Sequence, residues 1–225
     1  MSRIRFDQEL LELQQGLTSM ASLIEESLTC SLALVERNDK AAVEKIFEST
    51  QRVRELERQI ERQCLLLLLY QQPIASDLRR VSSALKIITH LRRISEQSAN
   101  IAELVREIMP CDVGYRIDYI GEMGDVVRKM VHRTIQAFVR QQLDAATNAI
   151  IMDDIIDDLF VKVRQELVEY IKKEPTNAEE ALDLFMIAKY LEKIGDHAAS
   201  MANWVIFSIT GERRKNVGNE KIEIR

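Results

Sequence analysis

The chain has 225 residues, 30% of them charged, and a formal net charge of −5. It contains only seven glycines and three prolines, a composition typical of long helices. Because the charge balance is negative, no bulk positive field favours nucleic acid, and we expect no nucleic-acid partner.

Cysteine usage and the first residues indicate the compartment. Cys30, Cys64 and Cys111 are odd in number and lack metal-site spacing, which favours reduced thiols. The start MSRIRFDQEL carries charges where a signal peptide needs an apolar stretch. The longest apolar run, residues 64–70, is too short to span a bilayer. We therefore expect a soluble, cytoplasmic protein.

Chain breakers predict six helices. Asn38-Asp39 separates the first helix from the second, and Pro73 separates the second from the third. The segment PCDVG at 110–114 interrupts the chain after the third helix. The expected ranges are 5–37, 40–71, 74–108, 115–142, 145–173 and a sixth helix between Pro175 and Gly211.

Three of these helix ends have a predicted capping residue. Asp144 suits the N-cap of the fifth helix, and Thr176 with Glu179 forms a capping box for the sixth. Gly211 is the expected C-terminal glycine of the sixth helix. The segment 212–225 that follows lacks an apolar period and is expected to be a flexible tail.

The breakers divide the helices into two sets of three, residues 1–110 and 114–211, with the boundary near Gly114. Short turns make neighbouring helices antiparallel, so the predicted fold is all-α: two tandem antiparallel three-helix bundles. The leucine run 65–69 places leucine on every side of the second helix. We expect both bundles or a second subunit to bury it, and a homodimer is the expected assembly.

The two halves contain a repeat at an offset of one hundred residues. The sequence LRRISEQSANIAELV at 91–105 aligns without a gap with LEKIGDHAASMANWV at 191–205. Apolar residues recur every three or four positions in both copies, for example Leu91 and Leu191, which indicates a buried seam. The charged positions differ between the copies, so the seam and the exposed face have changed independently.

Two carboxylates of the second copy form one half of a candidate metal site. Glu192 and Asp196 lie one turn apart on the outer face of the sixth helix and repel each other by about 0.2–0.5 kcal/mol. The flanking positions four residues away, Ala188 and Ser200, supply no countercharge. Carboxylate oxygens are the ligands of hard cations, although a solvated surface remains the alternative for such a pair.

The fifth helix supplies the other half within MDDIIDDLF. The pair Asp154 and Asp158 has a local countercharge in Lys162, whereas the pair Asp153 and Asp157 has none. Antiparallel pairing about Pro175 places this second pair opposite the carboxylates of the sixth helix. The predicted metal ligands are Asp153, Asp157, Glu192 and Asp196.

These segments resemble the PhoU family of phosphate-uptake regulators. The resemblance is carried by YQQPIASDLRRVSSALKI at 70–87, by residues 91–105, and by AKYLEKIGDHAASMANW at 188–204. The family pattern is close to LERIGDxAxNIAE, and LEKIGDHA matches it nearly throughout. The likeness covers both halves up to Gly211. It implies a duplicated three-helix bundle with multinuclear metal clusters on the surface.

The resemblance implies different ligand sets in the two repeats. The family positions fall on the four carboxylates of the second repeat, where iron, zinc, manganese or magnesium is expected. In the first repeat they fall on Thr50, Arg54, Arg92 and Glu96. No cation is expected there. Arg54 and Arg92 either pair with Glu96 or bind an anion or an acidic partner.

A basic stripe on the third helix is a second candidate surface. It comprises Arg79, Lys86, His90 and Arg93, and it either docks a partner or is simply solvated.

The resemblance implies a regulator rather than an enzyme. Such a protein acts between a phosphate ABC transporter ATPase and a sensor histidine kinase, keeps the phosphate-starvation response off, and reaches the membrane only through these proteins. His90, His132 and His197 are scattered, so we predict no catalytic residues, and without a Gly-rich loop no cofactor-binding residues. The alternatives are a metal-dependent hydrolase that uses the groove carboxylates and a plain structural helical module.

Overall fold

The computed structural model describes residues 3–36, 40–108 and 118–212 of the chain. These residues form six α-helices and no strand, which confirms the predicted all-α class. The helices are α1 (Arg3–Glu36), α2 (Lys40–Gln71), α3 (Ala75–Ile108), α4 (Asp118–Arg140), α5 (Leu143–Lys173) and α6 (Ala178–Thr210). None of the described helices is long and apolar enough to cross a membrane.

Two predicted helix ends are confirmed. The turn at Pro73 is flanked by Gln72 and Ala75, both with a left-handed backbone (φ 46° and 48°). Gly211 ends α6 with φ 83°, and its N–H donates to Phe207 O at 2.9 Å. Glycine reaches this conformation without the steric cost of a Cβ.

The predicted N-cap of α5 is wrong. Asp144 lies inside the first turn, and the N-cap is Gln142, whose backbone is extended and whose side chain makes no capping hydrogen bond. The preceding turn explains this start: Gln141 ends α4 in a left-handed conformation (φ 53°), and Gln142 N–H donates to Ala137 O at 2.9 Å. This turn starts α5 two residues before the predicted position.

The predicted capping box of α6 is also wrong. A short 3₁₀ turn, Pro175–Asn177, joins α5 to α6 and contains Thr176. The Thr176 hydroxyl donates to Glu174 Oε1 at 2.9 Å instead of accepting from the first turn of α6. Proline at the first position of the turn has the backbone conformation that leads directly into a helix.

Several predicted boundaries lie outside the described residues. They are the Asn38-Asp39 break, the bundle boundary at 110–114 and the tail from residue 213 onward.

The two repeats pack side by side through two helix pairs, α3 with α6 and α1 with α4. In the first pair the helices are antiparallel, and the rings of His90 and His197 lie 5.6 Å apart between centroids. In the second pair Gly124 allows a close approach, because a Cβ there would lie 2.4 Å from Leu32 Cδ2. The outer helices α2 and α5 each cover their own repeat, and the core is continuous across both repeats.

The repeated apolar positions form the centre of this core. Ile94 and Ile194 are fully buried, and Leu91 and Leu191 are at most 1% exposed. Burying such a side chain completely stabilises the fold by about 1.5–3 kcal/mol. The seam predicted from the repeat is therefore the main packing element of both halves.

The leucine run of α2 is only partly buried. Leu67 faces the core and is 1% exposed, but Leu65, Leu66 and Leu69 are 54%, 41% and 65% exposed. One of the two expectations, burial of the run between the two bundles, is wrong. Among the helices that the structure describes, α2 contacts only α1 and α3 and lies at the outer edge of its repeat.

Truncation of the seam should destabilise both repeats to a similar extent. We expect Ile94→Ala and Ile194→Ala each to lower the free energy of unfolding by about 2–5 kcal/mol, because each leaves a cavity in the core. Urea unfolding followed by circular dichroism measures the loss. Ile151→Ala is the matched control, since Ile151 is 57% exposed. A loss of unfolding free energy in only one of the two variants would contradict the shared core.

Candidate functional site

The groove between α5 and α6 holds the four predicted ligands. Asp153 and Asp157 lie on α5, and α6 runs antiparallel beside it with Glu192 and Asp196. Gly195 allows the two helices to approach closely, because a Cβ there would lie 2.9 Å from Ile156 Cδ1 and 3.3 Å from Asp153 Oδ1. A larger residue at this position would push α6 away from the carboxylates.

The carboxylates of α5 are electrostatically unfavourable. Burial and the negative charges of Asp157 and Asp196 raise the pKa of Asp153 to about 7. The pKa of Asp157 is also raised, by burial and by Asp196 and Glu192. Asp153 therefore experiences the charges of the other three carboxylates, and Asp157 those of Asp196 and Glu192, so α5 carries uncompensated negative charge.

The carboxylates of α6 have countercharges that the sequence reasoning missed. Lys189 Nζ lies 2.5 Å from Glu192 Oε2, and Lys193 Nζ lies 2.9 Å from Asp196 Oδ2. Both lysines stand three residues before their partners. A spacing of four residues does not reveal these pairs, although residues at i and i+3 also face each other on a helix.

The cluster fits a metal ion in residue type but not in its present arrangement. Partly buried carboxylates that lack a countercharge are suitable ligands for a hard cation. However, no group of three or more His, Cys, Asp or Glu side chains in the described part of the chain is arranged to hold a metal. For four ligands to converge, Lys189 and Lys193 must first release Glu192 and Asp196.

In the first repeat the corresponding groove is neutralised by its own residues. Arg92 lies 2.6 Å from Glu96 Oε2 and 2.9 Å from Glu57 Oε2, and Arg54 lies 3.2 Å from Glu96 Oε1. Of the alternatives for the two arginines, the structure shows pairing with Glu96. Glu57 was missed, although it stands one turn after Arg54. The fourth position, Thr50, is buried and accepts a hydrogen bond from Ser95 at 3.2 Å.

The basic stripe of α3 packs against α6. The Arg79 side chain lies beside Gly211, Lys86 Nζ lies 6.0 Å from the Trp204 ring centroid, and His90 contacts His197. Burial and the nearby Arg93 lower the pKa of His197, which favours the neutral imidazole. Three of the four stripe residues therefore belong to the contact between the repeats, and His197 has a structural position.

Comparison with known proteins identifies the family. A family model described as the PhoU domain matches residues 17–105 and 120–205, one match in each repeat. The chain therefore belongs to the PhoU family.

Relatives align with the chain over nearly its whole length. A protein of Clostridium acetobutylicum named phosphate-specific transport system accessory protein PhoU homolog is 28% identical over 95% of this chain and 98% of its own. A Thermotoga maritima protein with the same designation, homolog 1, is 31% identical over 94% of this chain and 92% of its own.

Two solved structures share the fold. The crystal structure of PhoU from Pseudomonas aeruginosa has a TM-score of 0.88 at 27% identity and covers 92% of this chain and all of its own. The crystal structure of the phosphate transport system regulatory protein PhoU from Streptococcus pneumoniae has a TM-score of 0.85 at 25% identity. It covers 93% of this chain and 99% of its own.

The raised pKa of Asp153 predicts a stabilising substitution. Between pH 4 and 7, Asp153 keeps a proton in the folded chain that it has lost in the unfolded chain. The contribution of Asp153 to the free energy of unfolding therefore falls as the pH rises and is lowest above pH 7. Asp153→Asn should therefore raise the melting temperature at pH 8. The gain in the free energy of unfolding is on the order of 1 kcal/mol, because partial exposure screens the charges. This corresponds to a rise of about 2–4 °C in the melting temperature.

Thermal unfolding of the variant and the parent from pH 4 to pH 8 measures this difference, which should shrink toward pH 4. Glu122→Gln is the control, since Glu122 is an exposed carboxylate on α4 and does not belong to these four residues. A difference that does not change with pH would rule out the raised pKa.

Proposed function

We propose that the protein is a non-enzymatic regulator of phosphate uptake that acts in the cytoplasm. It links the ATPase of a phosphate ABC transporter to a sensor histidine kinase and holds the phosphate-starvation response off while phosphate is plentiful. The observation that carries this proposal is the PhoU match in both repeats, together with full-length relatives named as accessory proteins of the phosphate-specific transport system.

The surface geometry supports a role in protein contacts. The fold is kept by the same buried seam in both repeats, while the two grooves carry different charges: four carboxylates with two lysines on α5 and α6, and an arginine–glutamate network on α2 and α3. A structural module would not need two chemically different grooves.

Deletion of the gene tests the regulatory role. Phosphate-starvation genes should stay switched on in phosphate-rich medium, because the signal from the transporter no longer restrains the kinase. Transcript levels of these genes measure the effect, and expression of the full chain from a plasmid should switch them off again. Normal repression in a deletion strain without a second family member would contradict the proposal.

A pull-down separates the regulator from the structural module. The full chain should retain the phosphate-transporter ATPase and the cytoplasmic part of the kinase, but not the ATPase of an unrelated transporter. Retention of neither protein would favour the structural module.

We further propose that the second repeat binds a divalent or trivalent cation through Asp153, Asp157, Glu192 and Asp196. A bound cation would supply the positive charge that Asp153 and Asp157 lack. Its binding requires Lys189 and Lys193 to turn toward solvent, which their partial exposure allows. The first repeat would not bind a cation, because Arg54 and Arg92 already provide positive charge there.

Added metal should therefore raise the melting temperature of the full chain. Binding to the folded state alone stabilises it by about 2.7 kcal/mol at a hundredfold excess over the dissociation constant. Asp157→Ala with Glu192→Ala should abolish the rise seen with manganese or magnesium, and Glu96→Ala should leave it intact. Thermal unfolding with and without a chelator measures it. An equal rise in the double variant would show that these four residues are not the ligands.

A further inference from the structure

Two lysines of α6 hold the carboxylates that the proposed cation site needs from this helix. Lys189 Nζ lies 2.5 Å from Glu192 Oε2. Lys193 Nζ lies 2.9 Å from Asp196 Oδ2 and 3.9 Å from Glu192 Oε2. The α6 side of the groove is therefore neutralised from within its own helix, and a cation that uses these oxygen atoms has to displace both ammonium groups.

The lysines stand outside the four ligand positions, and the first repeat differs in this respect. There Arg54 and Arg92 occupy two of the ligand positions themselves, so no rotation of a side chain creates four carboxylate ligands. At the offset of one hundred residues Lys189 corresponds to Thr89, whose hydroxyl donates to Leu85 O at 3.2 Å. The second repeat thus keeps a carboxylate at each ligand position and adds cations one turn earlier on α6, which can be withdrawn.

Both lysines can withdraw without disturbing the core. Their side chains are 36% and 45% exposed, and a lysine carries a strongly hydrated ammonium group on a flexible four-carbon chain. Lys189 Nζ also lies 5.2 Å from the centroid of the Phe160 ring, so the ring face still stabilises its charge after Glu192 is released. Lys193 is the more exposed of the two and can return to water.

A metal ion and the lysines compete for the same oxygen atoms. A divalent or trivalent ion carries two or three charges and is held by several carboxylates at once, whereas each ammonium group carries one charge. Ion pairs at partly exposed sites contribute little to stability, so such an ion can break them. The free energy of breaking the pairs is subtracted from the free energy of binding. The affinity is therefore lower than the carboxylates alone would give.

We propose that Lys189 and Lys193 are built-in competitors of the cation and set the affinity of the site. The inference rests on the proposed cation site and goes beyond it, because two residues that are not ligands adjust how tightly the groove binds. Loading of the site would also release two ammonium groups to the exposed face of α6. The metal-loaded and the metal-free protein would thus present different charges to a partner.

Isothermal titration calorimetry of the metal-stripped full chain with manganese chloride tests this role. Lys189→Met and Lys193→Met each remove an ammonium group and keep most of the apolar side chain. Each should lower the dissociation constant for manganese about three- to fivefold, and the double variant about tenfold, because partly exposed ion pairs no longer have to be broken.

Three control variants make the test specific. Lys162→Met removes the same charge from α5, where Lys162 Nζ lies 5.6 Å from the Tyr119 ring centroid, and should change the dissociation constant less than twofold. Lys189→Arg keeps the positive charge and should stay close to the parent. In a chain that carries Asp157→Ala with Glu192→Ala, Lys189→Met should have no effect, because the carboxylate that it releases is gone.

A second measurement needs no metal. In a chelator, Lys189→Met should lower the melting temperature by about 1–4 °C, because Glu192 loses its countercharge, and Lys162→Met should not. A less stable metal-free fold together with tighter metal binding distinguishes a competitor from a residue that only supports the fold. Circular dichroism of each variant checks that the helices are intact.

The outcomes separate this inference from the cation site itself. If the parent and the lysine variants bind manganese equally, or if Lys162→Met tightens binding as much as Lys189→Met, the lysines are not competitors and the cation site stands. If neither the parent nor the double lysine variant binds manganese, both proposals are wrong. Binding by the double variant alone would show that the lysines close the site in the parent.

Discussion

The packing of α3 against α6 constrains the rest of the molecule. Each helix buries a residue at every third or fourth position, and Ile94 and Ile194 lie fully inside. Rotation of either helix would expose the seam at a cost of about 1.5–3 kcal/mol for each large side chain. The rotation of both helices about their axes is therefore fixed. This rotation also determines where the side chains one and two positions after each seam residue point. Those residues line the grooves with α2 and α5.

The same backbone supports two electrostatic solutions. In the first repeat Arg92 bridges Glu57 and Glu96, so the groove needs no external charge. In the second repeat lysines pair with the α6 carboxylates, and Asp153 and Asp157 are left among like charges. The first groove is thus complete without a ligand. The second stores unfavourable electrostatic energy that an added cation, whether a metal ion or a side chain, would relieve.

The close contact under each groove differs in the corresponding way. In the first repeat the buried Ser95 hydroxyl donates to Thr50, and the Thr50 hydroxyl in turn donates to Ile46 O. In the second repeat glycine replaces serine, and Asp153 lies in the space above Gly195. A serine at position 195 would place its side chain against Ile156. The exchange of serine for glycine is therefore what admits a carboxylate at the base of the groove.

The sequence predicted the features that depend on periodicity. The six helices and the buried seam follow from chain breakers and from apolar spacings of three and four residues, and the described part of the structure has both. The use of the four carboxylates as metal ligands stays a prediction. Capping was predicted poorly at Asp144 and Thr176, because the turns before α5 and α6 are set by the backbone of Gln141 and by the 3₁₀ turn at Pro175. The pairing of Lys189 with Glu192 follows an i, i+3 spacing, which the i, i+4 neighbours Ala188 and Ser200 do not reveal.

Contacts between distant segments could not be read from spacing alone. The packing of His90 against His197 and of Lys86 against Trp204 depends on how the two repeats meet, and a charged stripe on one helix does not reveal that a second helix covers it. The exposure of the leucine run has the same origin, since only the position of α2 at the outer edge of its repeat leaves Leu65 and Leu69 in water.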